Sequence, residues 1–65
     1  MLIILNNDPC EVEHTRLDQV LLELGYNNAA IATAVNSSIV HKHNRCNTQL
    51  NENDRLEIVS PIGGG

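Results

Sequence analysis

An α+β fold, with one helix packed across one face of a mixed sheet of four to five strands, is what this 65-residue chain predicts. Three features carry that expectation. Helical periodicity occurs once: Leu17, Val20, Leu21 and Leu24 fall at i, i+3, i+4 and i+7 and make a single apolar stripe. Short apolar runs near both ends, Leu2 to Leu5 and Leu56 to Ile62, have the length and character of strands. Between them lie clusters of Asn, Asp, Ser, Gly and Pro that turn the chain. The helix stripe has no second helix to cover it, so it must lie on the sheet.

Taken in order, Leu2 to Leu5 is a wholly apolar strand, which suits a central place in the sheet. Asn6-Asn7-Asp8-Pro9 supplies a turn, since Asn and Asp tolerate left-handed backbone and Pro ends a ladder. Cys10 to His14 then alternates with period two, with Cys10, Val12 and His14 on one face, and closes a hairpin. Thr15 reads as the N-cap of the helix, with Asp18 as a weak capping box, and Gly25 as its C′ stop. After a polar loop at Tyr26-Asn27-Asn28, Ala29 to Val35 is a strand of small and β-branched residues. It turns at Asn36-Ser37-Ser38 into the shorter strand Ile39 to His41. His41 to Asn47 is polar and irregular, Thr48 to Leu50 is briefly extended with Leu50 plugging the core, and Asn51 to Asp54 turns into a strand at Arg55 to Val59. Leu56 and Ile58 share its inner face, and Pro61 ends the ladder. The order strand, strand, helix, then two or three strands is that of the β-grasp roll of ubiquitin-like proteins, in which the last strand lies centrally beside the first.

Composition narrows the function. The domain is near the lower end of what folds alone and has few residues to spare for an active site. Tyr26 is the only aromatic residue, so no platform for stacking bases exists. Eight acidic residues against four basic ones, a formal charge of −4, argue against nucleic-acid or anionic-membrane binding and suit a partner with a basic surface. The opening apolar run is five residues without a basic flank, which is neither a signal peptide nor a membrane span. Cys10 and Cys46 make no disulfide framework, and a reducing cytoplasm is the expected location.

Residues 1–62 are expected to form the domain and Gly63-Gly64-Gly65 a flexible tail. Three consecutive glycines have nothing to pack and lose the most backbone entropy on ordering. Extended, they reach roughly 10 Å beyond the domain. Such a thread can enter a narrow channel in a partner and present the Gly65 carboxylate there. A carboxylate becomes a useful electrophile once activated, for example as a mixed anhydride with the α-phosphate of a nucleotide. In that reading the tail is a substrate and the chain is not an enzyme. A frayed end is the alternative from the glycines alone.

The residues leading into the tail carry a family resemblance. Ala34-Val35-Asn36 running into Ile39-Val40, then Leu50 to Val59, then Pro61-Ile62-Gly63-Gly64-Gly65, together with Thr15, Leu17, Val20, Leu21, Leu24 and Gly25 at the head, resembles the ThiS family of sulfur carriers in thiamine biosynthesis. The resemblance covers essentially the whole chain. It implies that the Gly65 carboxylate is adenylated by an E1-like adenylyltransferase of the ThiF type, which consumes ATP, and is converted to a thiocarboxylate. A sulfur donor such as a cysteine desulfurase supplies the sulfur, and a thiazole synthase of the ThiG type receives it. Gly63 and Gly64 thread the partners' active sites. Arg55, Glu57, Ser60 and Ile62 are candidate partner contacts, though an exposed sheet face shows the same alternation. No cofactor is expected on the chain itself. Ser37-Ser38 and the His41 to Cys46 segment depart from the family's usual pattern, which bears on partner contacts rather than on the tail.

Rival readings use other residues or other outcomes. The small subunit of molybdopterin synthase is a related Gly-Gly carrier, but its final strand is often aromatic, unlike Leu56-Glu57-Ile58-Val59. A protein modifier joined to lysines through Gly65 shares the same activation. His41, His43 and Cys46, with Cys10 or His14, have zinc-type donors, yet their spacing matches no closed pair and no metal is expected. Cys10 or Cys46 as a nucleophile is less economical than Cys10 as packing and Cys46 as a loop thiol.

Overall fold

The computed structural model describes residues 1–26 and 30–60. In chain order the elements are β1 (Leu2–Leu5), β2 (Asp8–Glu11), α1 (Leu17–Glu23), β3 (Ala32–Val35), β4 (Ser38–Val40), a 3-10 helix (Lys42–Asn47) and β5 (Arg55–Val59). The strands make one five-stranded sheet in the order β2-β1-β5-β3-β4. β1 and β5 run parallel, with Ile4 opposite Arg55 and Leu5 opposite Leu56, while the other pairings are antiparallel. This is the β-grasp arrangement, with the last strand at the centre beside the first. Among the described residues no helix is long and apolar enough to cross a membrane.

The core lies between the sheet and α1. Leu17, Val20 and Leu21 from the helix stripe are buried with Ile3, Leu56 and Ile58 from the sheet, and Val12 and Leu50 close the sides. Each such aliphatic side chain contributes about 1.5–3 kcal/mol by leaving water. Leu24, the last member of the stripe, packs half-buried at the margin. Thr33, the one buried polar residue among the described residues, donates its hydroxyl to the Val40 carbonyl at 2.9 Å.

Both hairpins close more tightly than expected. Each has a two-residue turn with positive φ at both positions, Asn6 (48°) and Asn7 (74°) in the first, Asn36 (50°) and Ser37 (73°) in the second. That is the primed-turn geometry that matches strand twist, and Asn tolerates it well. Asp8 and Pro9 therefore belong to β2 rather than to the turn, and the expected strand from Cys10 to His14 is shifted to Asp8–Glu11. Pro9 sits opposite Ile4 on an edge strand, where a missing N–H is tolerated. Ser38 likewise joins β4, which ends at Val40. β3 is shorter than the expected Ala29 to Val35. Its ladder ends with Ala32 opposite Val59, and the Ile31 carbonyl is taken by Arg45 Nη2 at 2.8 Å. Asn27, Asn28 and Ala29 lie outside the described residues.

The helix start also differs from expectation. Arg16, not Thr15, is the N-cap, and it makes no side-chain capping bond. The Thr15 hydroxyl donates instead to Gln49 Oε1 at 2.9 Å. The extended segment around Gln49 does the capping with its backbone: Leu17 N–H donates to the Thr48 carbonyl at 2.8 Å, and Leu50 N–H to Thr15 at 2.7 Å. A first-turn donor is satisfied by a distant strand-like segment rather than a local side chain. At the other end the expected stop holds. Gly25 has φ 94°, with Gly25 N–H bonded to the Leu22 carbonyl and Tyr26 N–H to that of Leu21, the paired bonds of a Schellman motif.

The segment expected to be irregular, His41 to Asn47, is ordered as the 3-10 helix Lys42–Asn47. It has no apolar stripe to sustain an α-helix, and its tighter turns are fixed by Asn44 N–H to the His41 carbonyl at 2.9 Å and Thr48 Oγ1 to the Asn44 carbonyl at 2.8 Å. Two polar clasps tie the helix ends. Glu23 accepts the backbone N–H groups of Glu13 and His14 and lies 3.0 Å from His14 Nδ1. The His14 hydrogen bond first, and those backbone donors next, hold its carboxyl below the usual range. Arg16 forks onto Asp18 at 2.6 and 3.1 Å and lowers that carboxyl in the same way.

Candidate functional site

The site is built around β5, the strand from which the chain runs on to the glycine tail. Hydrogen bonds from both hairpin turns fix its path. At its start, Asn36 brackets Arg55: Asn36 N–H donates to the Arg55 carbonyl at 2.8 Å, and Asn36 Oδ1 accepts Arg55 N–H at 3.0 Å. Near its end, β1 has already turned away after Leu5, and the side-chain amide of Asn6 continues the ladder in place of a peptide group. Asn6 Oδ1 accepts Ile58 N–H at 2.9 Å, and Nδ2 donates to the Ile58 carbonyl at 3.3 Å. The strand is thus held on both sides almost to Val59.

The two faces of β5 differ in chemistry. Leu56 and Ile58 point into the core, and Arg55, Glu57 and Val59 point outward and are exposed. The register brings Ala34 beside Glu57, Ala32 beside Val59, and Ile39 beside Ala34. Val59 is 64% and Ile39 73% exposed. Two shallow hollows share Ala32 and Val59: one of about 230 Å³ reaches Ile39 and Glu57, the other of about 400 Å³ reaches Ala30 and Ser60. An apolar surface carrying one carboxylate therefore flanks the end of β5 nearest the tail.

The expected contact residues divide across this geometry. Glu57 lies within the apolar surface, and Ser60 borders it. By the two-residue period Ser60 falls in the inward phase of Leu56 and Ile58, yet it is exposed because the strand stops at Val59. Arg55 is exposed at the far end of β5, roughly 16 Å from Ser60 along the strand, with Nη2 donating to Asn7 Oδ1 at 2.8 Å. Ile62, Gly63, Gly64 and Gly65 lie outside the described residues. Among the described residues no three His, Cys, Asp or Glu side chains gather as a metal site. The His41 and His43 rings stack at 6.0 Å, Cys46 is an exposed free thiol, and Cys10 is half-buried against the core.

Comparison with known proteins adds the decisive observation. The ThiS family model matches residues 3–65, from the first strand through the last glycine. This chain belongs to the ThiS family. Among solved structures, the thiamine biosynthesis protein ThiS from Geobacter metallireducens superposes with a TM-score of 0.82 over 100% of both chains, at 20% sequence identity. At that identity the likeness speaks for the shared β-grasp fold. No curated protein matches the chain.

Within this ThiS-family chain, sequence reasoning missed Val59, Ile39, Ala32 and Asn6. The signal for Val59 was present: it occupies the outward phase of a strand whose other outward residues are Arg55 and Glu57. An apolar residue there is conspicuous. Asn6 carried no such signal, because its role depends on β1 being shorter than β5.

Proposed function

We propose that this chain is a sulfur carrier in thiamine biosynthesis that works through its C-terminal carboxylate. The observation that carries the reading is the family match running through Gly65. Residues 1–62 serve as the folded grip and Gly63-Gly64-Gly65 as the thread. An E1-like adenylyltransferase joins the Gly65 carboxylate to the α-phosphate of ATP and releases pyrophosphate. A persulfide carried by a donor such as a cysteine desulfurase then attacks the acyl carbon through its terminal sulfur, and AMP leaves. A thiol reductant cleaves the S–S bond of the acyl disulfide so formed, freeing the Gly65 thiocarboxylate and the donor thiol as the reductant is oxidised to a disulfide. The resulting thiocarboxylate passes its sulfur to thiazole synthase. The chain is the substrate of these steps and not their catalyst.

The outward surface around Ala32, Ile39, Glu57 and Val59 supports this reading, because a partner must hold the domain while the tail enters its channel. Apolar contact supplies the grip, and Glu57 suits a basic group on the partner. Gly63 and Gly64 lack side chains to obstruct a channel that closes on the backbone. The cytoplasm, where ATP and thiol-bound sulfur are available, is the compartment this chemistry needs.

The experiment is intact mass after incubation with the activating enzyme, ATP and a sulfur donor, with a variant lacking Gly65 alongside. The expected result is a gain equal to one oxygen exchanged for sulfur in the parent alone. No gain, or attachment to lysines of other proteins, would falsify the carrier reading.

A further inference from the structure

Charge is unevenly distributed in this acidic chain. No Asp or Glu occurs between Glu23 and Glu52, while Lys42 and Arg45 fall within that stretch. The fold brings this basic segment against α1, where the helix and the 3-10 helix enclose a groove of about 250 Å³. Leu21, Leu22 and Tyr26 form its apolar lining; Lys42, Arg45 and the Cys46 thiol stand opposite. Asp18 is the one carboxylate on the rim, and Arg16 is forked onto it. Among the described residues neither Lys42 nor Arg45 has a carboxylate partner. Arg45 is anchored by Nη2 on the Ile31 carbonyl at 2.8 Å, and its buried Nε has no hydrogen-bond partner among those residues. Leu22 is 58% exposed on this side of the helix.

We propose that this groove docks an acidic segment of a partner protein, which inserts one apolar side chain between Leu22 and Tyr26 and sets carboxylates against Lys42 and Arg45. Charge complementarity selects the occupant: two uncompensated cations flank an apolar floor, and the one carboxylate on the rim, Asp18, is already paired with Arg16. Size points the same way, since the groove is smaller than the roughly 300–1,000 Å³ of a typical small-molecule pocket and suits a single side chain. The groove lies on the helix side of the sheet, opposite the surface around Val59. Both can be occupied at once, and the proposal does not rest on the carrier reading.

The test is two-dimensional amide NMR of the whole chain titrated with a capped peptide, Asp-Glu-Leu-Asp-Glu, and with its counterpart Lys-Lys-Leu-Lys-Lys. The acidic peptide is expected to shift the amides of Leu22, Tyr26, Lys42, Arg45 and Cys46, to slow alkylation of the Cys46 thiol, and to lose affinity as salt is raised. The basic peptide should leave them in place. Lys42→Glu, a change at an exposed position, should weaken the acidic peptide about tenfold while the thermal melt stays unchanged. The proposal is overturned by equal response to both peptides, by shifts centred on Ala34, Glu57 and Val59, by parental affinity in Lys42→Glu, or by no saturable shift at roughly millimolar peptide.

Discussion

The two faces of β5 stand one residue apart in sequence and serve opposite ends. Leu56 and Ile58 face α1 and are buried, whereas Glu57 and Val59 face away from it and are exposed. The inner pair contributes to the free energy of folding; the outer pair contributes little to it and leaves apolar surface in water, which folding alone does not favour. A strand at the centre of a small sheet therefore carries two kinds of information in alternation. Because β5 is the last strand before the glycine tail in sequence, the proposed function needs its outer face as the grip. Stability and recognition should separate cleanly when the two phases are altered one at a time.

The largest expected break is on the inner phase. Leu56→Ala should cost about 2–5 kcal/mol, measured as a lower urea midpoint with an unchanged slope. That is a large part of the roughly 3–10 kcal/mol available to a chain this size. Gly64→Ala should do the reverse: no change in the urea midpoint, and about 100-fold slower adenylation, because a methyl group displaces the backbone in the partner's channel. Turnover equal to the parent would count against threading. Asn6→Ala tests the end of the strand. It leaves the Ile58 N–H and carbonyl without their partner, and should cost about 1–3 kcal/mol in denaturant unfolding. Full stability in that variant would mean that the side-chain ladder contributes nothing.

The smallest effect lies away from β5. The Asp18 and Glu23 carboxyls titrate below their ordinary range in the folded chain. Groups lowered in this way stabilise the fold above the unfolded carboxylate range near pH 4, and that contribution is lost as pH falls through their folded values. The urea midpoint should therefore drop on acidification, and should drop less in Glu23→Gln. An identical pH profile in parent and variant would exclude the clasp as a contributor. Exposure of the pair keeps the effect small.

Much of this fold was legible in the residues, and the reasons are particular. β1 and β5 were read correctly because an unbroken aliphatic run and a strict alternation leave few other structures. Gly25 was read correctly because a helix stop with positive φ favours glycine. Thr15 misled because local capping rules cannot register that Gln49 competes for its hydroxyl and that Thr48 supplies the cap from the backbone. The 3-10 helix was hidden for a related reason: its turns are closed by local bonds from Asn44 and Thr48 with no apolar stripe to announce them, and the bond from Arg45 to the Ile31 carbonyl is made only once the surrounding structure exists. At the site, the outward position of Glu57 was legible from alternation along one strand, whereas Ser60 falls in the inward phase and is exposed only because the strand stops at Val59. Ile39 and Ala32 were not legible, because they join Val59 only through the β3–β4 and β3–β5 registers.

The most direct test of the two-face account is ATP–pyrophosphate exchange by the activating enzyme, with the parent, Val59→Lys and Asn47→Lys compared at matched concentrations. The two substitutions each add one cation at an exposed position, one on the outer sheet face and one on the 3-10 helix. Both should melt like the parent, within about 0.5 kcal/mol. Exchange should fall about tenfold or more for Val59→Lys, as expected for a charge placed in the apolar centre of an interface, and stay at the parental rate for Asn47→Lys. Equal rates for all three would contradict the account, because the outer face of β5 would then play no part in presenting the tail.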